Sequence, residues 1–156
     1  MNPDNLLVEE ECHQEVCIGI CGGEGVPEDE LNRLYICTGI LKFTLTGGPS
    51  PYTVGLKGES EDKWTEYHLS WLVGPSFGES QRLQFVRAIG TASLARTYNA
   101  GTWHYGGWRV NSVDAHLNDD NNKVELTLDL AVRDTDGYLE AITYQVFILA
   151  YDPANR

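Results

Sequence analysis

Histidines, cysteines and one cluster of aromatic rings are the side chains of this chain best suited to chemistry. Asp114 and His116 stand two residues apart in a segment that alternates apolar and polar positions. On a strand, residues i and i+2 project to the same side. Carboxylate and imidazole would therefore lie together, away from Val113, Ala115 and Leu117. Such a pair can orient a general base or a metal ligand. It is also an ordinary pair on a solvated face, and no G-x-S-x-G, H-E-x-x-H or P-loop accompanies it. No catalytic residue is assigned, and nothing calls for a cofactor.

Cys12, Cys17, Cys21 and Cys37 all fall in the first quarter of the chain. The spacing C-x4-C-x3-C lacks the C-x2-C knuckle of a structural zinc site, although His13 stands beside Cys12. The expectation is disulfides joining an N-terminal arm to the body, with free thiols or a metal as the other outcomes. The acidic surroundings favour thiol over thiolate, which argues against a reactive nucleophile. Asp119-Asp120-Asn121-Asn122 and Asp134-x-Asp136-Gly137 are rich in oxygen, as calcium requires. They lie at opposite ends of one strand and read better as hairpin turns.

The stretch from Tyr98 to Trp108 sets aromatic residues among glycines. Tyr98, Trp103, His104, Tyr105 and Trp108 could stack on a small ligand or a glycan, because aromatic faces are apolar with a polar edge. The same residue types form interface hot spots and plug barrel ends.

The elements that would carry these groups are strands. Val124, Leu126, Leu128, Leu130 and Val132 alternate with polar residues, as do Ile142, Tyr144, Val146 and Ile148. Asp134 to Gly137 suits a hairpin turn with a bulge, which predicts the pairs Leu130–Ile142, Leu128–Tyr144, Leu126–Val146 and Val124–Ile148. Leu117–Val124, Ala115–Leu126 and Val113–Leu128 extend this into a C-terminal meander. Tyr35, Cys37, Leu41, Phe43 and Leu45 share another parity, with Cys37 as a small core residue. Tyr52 to Lys57 reads as a short strand, and Tyr67, Leu69, Trp71 and Val73 as a further one stopped by Gly74-Pro75. Residues 79–97 fit either a helix or a strand. Strand is preferred for 82–90, with Leu83, Phe85 and Ile89 on one face.

Residues 1–30 hold nine Asp/Glu and no Lys/Arg, whereas residues 31–156 hold fourteen against eleven. Most of the net charge of −12 thus sits in the N-terminal segment, which carries −9 and is expected as an arm with a short helix over residues 5–17. Nucleic acid and anionic membrane both require a basic footprint, which is missing. No run of about 18 apolar residues exists for a membrane-spanning helix, and the N-terminus does not read as a secretory signal.

The reading is an all-β chain: an acidic, cysteine-containing arm (1–30) before an antiparallel β-sandwich of jelly-roll type, or a closed barrel, over 31–156. The last strand is apolar on both faces, with Leu139, Ala141, Phe147 and Leu149 on the second. A strand apolar on both faces is usually covered on both, by another part of the chain or by a second subunit. The functional expectation is a non-enzymatic structural module that self-assembles into a homo-oligomer. Leu139, Phe147 and Leu149 would form its interface, together with Leu6 and Leu7 from the arm. The alternative is a small carbohydrate-binding domain using the aromatic loop.

Overall fold

The computed structural model describes residues 6–20, 32–45, 55–59, 62–77, 86–99, 107–133 and 137–151. Every regular element among them is a strand: β1 (Leu6–Ile20), β2 (Asn32–Leu45), β3 (Leu56–Lys57), β4 (Thr65–Val73), β5 (Val86–Asn99), β6 (Gly107–Asn118), β7 (Lys123–Arg133) and β8 (Gly137–Tyr151). All pairings are antiparallel. A five-stranded sheet runs β1-β2-β8, with β3 and β5 also pairing β8, and a three-stranded sheet runs β4-β7-β6.

Alternation identifies the core correctly. Cys37, Leu41 and Phe43 of β2, Tyr67, Leu69 and Val73 of β4, and Val124, Leu126, Leu128 and Leu130 of β7 are all buried. They share one hydrophobic cluster with Ile142, Tyr144, Val146 and Ile148 of β8. β4 ends at Gly74, whose φ of +77° suits a residue without Cβ. The β6–β7 register matches expectation, with Val113↔Leu128, Ala115↔Leu126 and Leu117↔Val124. Its turn is built on Asn118, whose Oδ1 accepts from the amides of Asp120 (2.9 Å) and Asn121 (3.2 Å). Asn122 takes a left-handed φ of 53°, a conformation asparagine tolerates.

The expected β7–β8 hairpin is corrected. β7 pairs β4 and β6, while β8 pairs β2, β3 and β5. The two strands belong to different sheets, and their apolar rows contribute to one core instead of lying edge to edge. Alternation dictates which face is buried and is indifferent to whether the matching row is a lateral neighbour or lies across the core. The turn residues 134–136 are outside the described set.

Two further expectations change. Leu6–Ile20 is a strand, paired with β2 along its length, where a helix was expected. A bulge between Glu10 and Cys12 shifts its parity, so no single alternation survives in the sequence. β1 gives the outer edge of β2 its backbone partners, which an extended buried edge requires. β5 is a strand from Val86 onward, as preferred, but with Ile89 facing outward; Leu83 and Phe85 lie outside the described residues. Val86, Ala88 and Ala92 face the core cluster, whereas Ile89 is 69% exposed. Small residues are needed because β5 packs closely on the smaller sheet. A Cβ at Gly90 would sit 2.9 Å from Leu126 Cδ1 and 3.2 Å from Ala115 Cβ.

Burial, with Glu15 and Glu10 nearby, raises the Cys37 thiol from 9.0 to about 11. The native thiol therefore stays neutral where the unfolded one ionises. Its contribution to stability is whole below pH 9 and declines as pH rises toward 11, by at most about 1.4 kcal/mol per pH unit. Urea unfolding between pH 8 and 11 is expected to show this loss, and Cys37→Ala should flatten it.

Candidate functional site

The outer face of the larger sheet is the most distinctive surface of the molecule. Strand register aligns its side chains in rows across β1, β2, β8 and β5. One row is Val16, Ile36, Phe147 and Ile89. The next toward one end is Ile18, Leu34, Leu149 and Arg87. Toward the other end follow Gln14, Thr38, Gln145 and Thr91, then Cys12, Ile40, Thr143 and Ser93. Arg87 is the sole charge in these four rows, on a chain of net charge −12. Val16 (43%), Ile18 (45%), Ile89 (69%) and Leu149 (42%) are exposed. Together they present a few hundred Å² of apolar surface, the size of the largest such patch on an ordinary single chain, which is often a functional face. The Gln/Thr/Ser rows beside it line a shallow groove of about 410 Å³.

Of the residues expected at an interface, Phe147 is half-buried and Leu149 and Leu7 are exposed. Leu6 is half-buried and packs against the core. Leu139 is corrected: it is fully buried, paired with Leu56 of β3, and belongs to the core cluster. Val16, Ile18, Leu34, Ile36 and Ile89 complete the patch and are not marked as interface by the sequence pattern. Each strand alone offers only one or two of them, and only the pairing of four strands makes them one patch.

β1 is held to this sheet by a polar contact near its bulge. Tyr144, almost fully buried, donates its hydroxyl to a Glu10 carboxylate oxygen. His13 Nδ1 lies 3.0 Å from the same oxygen and 3.1 Å from the phenolic oxygen. Gly39 makes room, since a Cβ there would lie 2.6 Å from Tyr144 Cε1. Burial, followed by the Glu10 hydrogen bond, pushes the Tyr144 phenol well above its usual range. Tyr144→Phe is expected to cost about 1–2 kcal/mol, and to raise amide hydrogen exchange in β1 above that in β7.

The outer face of the smaller sheet is polar. Asp129 stands between Ser112, which donates to Oδ2 at 2.6 Å, and His68, hydrogen-bonded to Oδ1. These two bonds, Ser112 first, hold the Asp129 carboxyl below its ordinary value. An activated serine requires the imidazole next to the hydroxyl, and here the carboxylate separates them. Asp114 and His116 do pair, at 2.9 Å, with both side chains largely in solvent. Water competes for such an exposed pair.

Cys12, Cys17 and Cys37 are free, so none of these three makes an expected disulfide. Cys12 lies on the outer face of its strand and Cys37 in the core, which keeps those two thiols apart. Cys21 lies outside the described residues. Of the aromatic loop, Trp103, His104 and Tyr105 also lie outside them. The Tyr98 backbone pairs with Tyr138. Trp108, on β6, is half-buried and packs on the core. No group of three or more His, Cys, Asp or Glu suited to a metal occurs among the described residues. In comparisons with known proteins, no family model, no curated protein and no solved structure matches this chain.

Proposed function

We propose that the chain is a non-enzymatic structural module that associates with a second copy of itself through the outer face of its larger sheet. The observation that carries this reading is the pair of apolar rows around Phe147 and Leu149, set in a face almost free of charge. Depletion of charge around an apolar centre distinguishes interface cores from ordinary surface. A stable interface buries about 800 Å² per partner. The apolar rows together with the neutral groove rows are of that order. An apolar face is its own best complement, as a two-fold contact requires.

Charge placement supports face-to-face over edge-to-edge contact. The edge strand β1 carries Glu9, Glu10, Glu11 and Glu15, and acidic edges repel a second copy from adding to the sheet. The same strand lends Val16 and Ile18 to the apolar rows, so the acidic N-terminal segment takes part in the contact. A jelly-roll-like sandwich is the architecture we infer around it. Its support is the strand order, β2-β8-β5 in one sheet against β4-β7-β6 in the other. Light scattering on size-exclusion fractions tests the assembly. A concentration-dependent dimer or larger species is expected, and a clean monomer at high micromolar concentration would overturn the reading.

A further inference from the structure

We propose a second, independent site at the β6–β7 end of the smaller sheet that binds a tetrahedral oxyanion, a phosphate or sulfate group. Trp64 immediately precedes β4, while Gly107 opposite Arg133 begins the β6–β7 ladder. The indole reaches across to β6, where a Cβ at Gly107 would lie 2.6 Å from the Trp64 ring. The Arg109 guanidinium carbon lies 4.2 Å from the ring centroid and that of Arg133 lies 6.0 Å from it. Two cations thus share one indole.

Neither arginine forms a salt bridge among the described residues. Arg96 shows the contrasting arrangement, clamped by Glu140 at 2.8 Å and Glu11 at 3.0 Å. Glu66 shares the row of Arg109 but stands two strands away. Arg133 Nε is buried with no acceptor among the described residues, as is Trp108 Nε1, which lies on the opposite, core-facing side of β6 and is not part of this site.

An acceptor-rich anion would answer both charges at once, through guanidinium N–H groups other than the buried Arg133 Nε. A carboxylate has two oxygens, enough for one guanidinium fork, whereas a phosphate or sulfate has oxygens and charge for both. The negative charge of the chain as a whole does not prevent this, because exposed charges farther than about 8–10 Å are screened. One arginine pair, without a longer basic track, suits a single small anionic group and not a nucleic-acid backbone.

The full chain should be titrated with inorganic phosphate and with sulfate at constant ionic strength, following tryptophan fluorescence and indole N–H resonances. Saturable binding by either anion is expected, absent with acetate and at least about tenfold weaker in Arg109→Gln. Arg133→Gln should act likewise. If that half-buried substitution fails to fold, the exposed Arg109 still decides the matter. No saturation at tens of millimolar, equal binding of acetate, or an unchanged midpoint in Arg109→Gln would overturn the proposal.

Discussion

Gly90→Val is expected to destabilise the fold by about 3 kcal/mol, toward the upper end of overpacking costs. The new Cβ alone would meet Leu126 Cδ1 at 2.9 Å, Ala115 Cβ at 3.2 Å and Val113 Cγ1 at 3.4 Å. All three contacts belong to β6 and β7, across the core from β5. Leu126 is fully buried, so Leu126→Ala alone should cost about 2–5 kcal/mol through the cavity it leaves. In the double variant the valine fills part of that cavity. The two costs should then fall short of additive by at least 1 kcal/mol, the signature of contacting residues. Urea denaturation of the four proteins measures it. Strict additivity would mean that β5 and β7 do not face each other and would remove the observed arrangement of the sheets.

That experiment separates what alternation reveals from what it leaves open. Leu126 and Val146 were each legible as core residues, because period two marks the buried face of a strand. Their relation was misread. A matched pair of apolar rows satisfies a hairpin and a face-to-face packing equally well, and a turn-like Asp-Thr-Asp-Gly tipped the reading toward the hairpin. Where strands do pair sequentially, as in β6–β7 through Asn118–Asn122, the same reasoning recovers the register. β1 failed for a different reason. Its bulge places Val8 and Glu10 on the same side as His13 and Cys17, so polarity does not follow parity. On β5 the inward residues Ala88, Gly90 and Ala92 are small, and the bulkier Ile89 points outward, which reverses the usual cue.

The candidate site was half legible for the same reason. Phe147 and Leu149 stand out because they make β8 apolar on its second face. Their neighbours Ile36 and Leu34 on β2, Val16 and Ile18 on β1, and Ile89 on β5 become neighbours only through pairing across four strands. Leu139 was assigned with them by parity. Yet Ala141 and Ile142 are consecutive and both fully buried, so the inward parity changes along β8. The irregularity in β5 opposite this point, from Leu94 to Thr97, accompanies the change. Residues on either side of such a break cannot be placed on one face by counting.

Ile89→Glu and Leu149→Glu should therefore abolish self-association while leaving the chain folded. Both side chains are substantially exposed, and substitutions at exposed sites away from special features change stability within about 0.5 kcal/mol. In a two-fold contact each substitution appears twice, and each copy would carry an unpaired carboxylate into an apolar centre. Dissociation constants should rise at least about a hundredfold, the scale of losing 3 kcal/mol of interaction. Sedimentation velocity over a concentration series reads this directly, and urea unfolding checks the fold. Ser70→Glu supplies the comparison, since Ser70 is exposed on the outer face of the smaller sheet. It adds the same charge while sparing the apolar rows. If it dissociates the assembly as strongly as Ile89→Glu, general charge repulsion is responsible and the larger sheet's face is not the contact. If Ile89→Glu alone dissociates it, the apolar second face of β8 is the seam between copies.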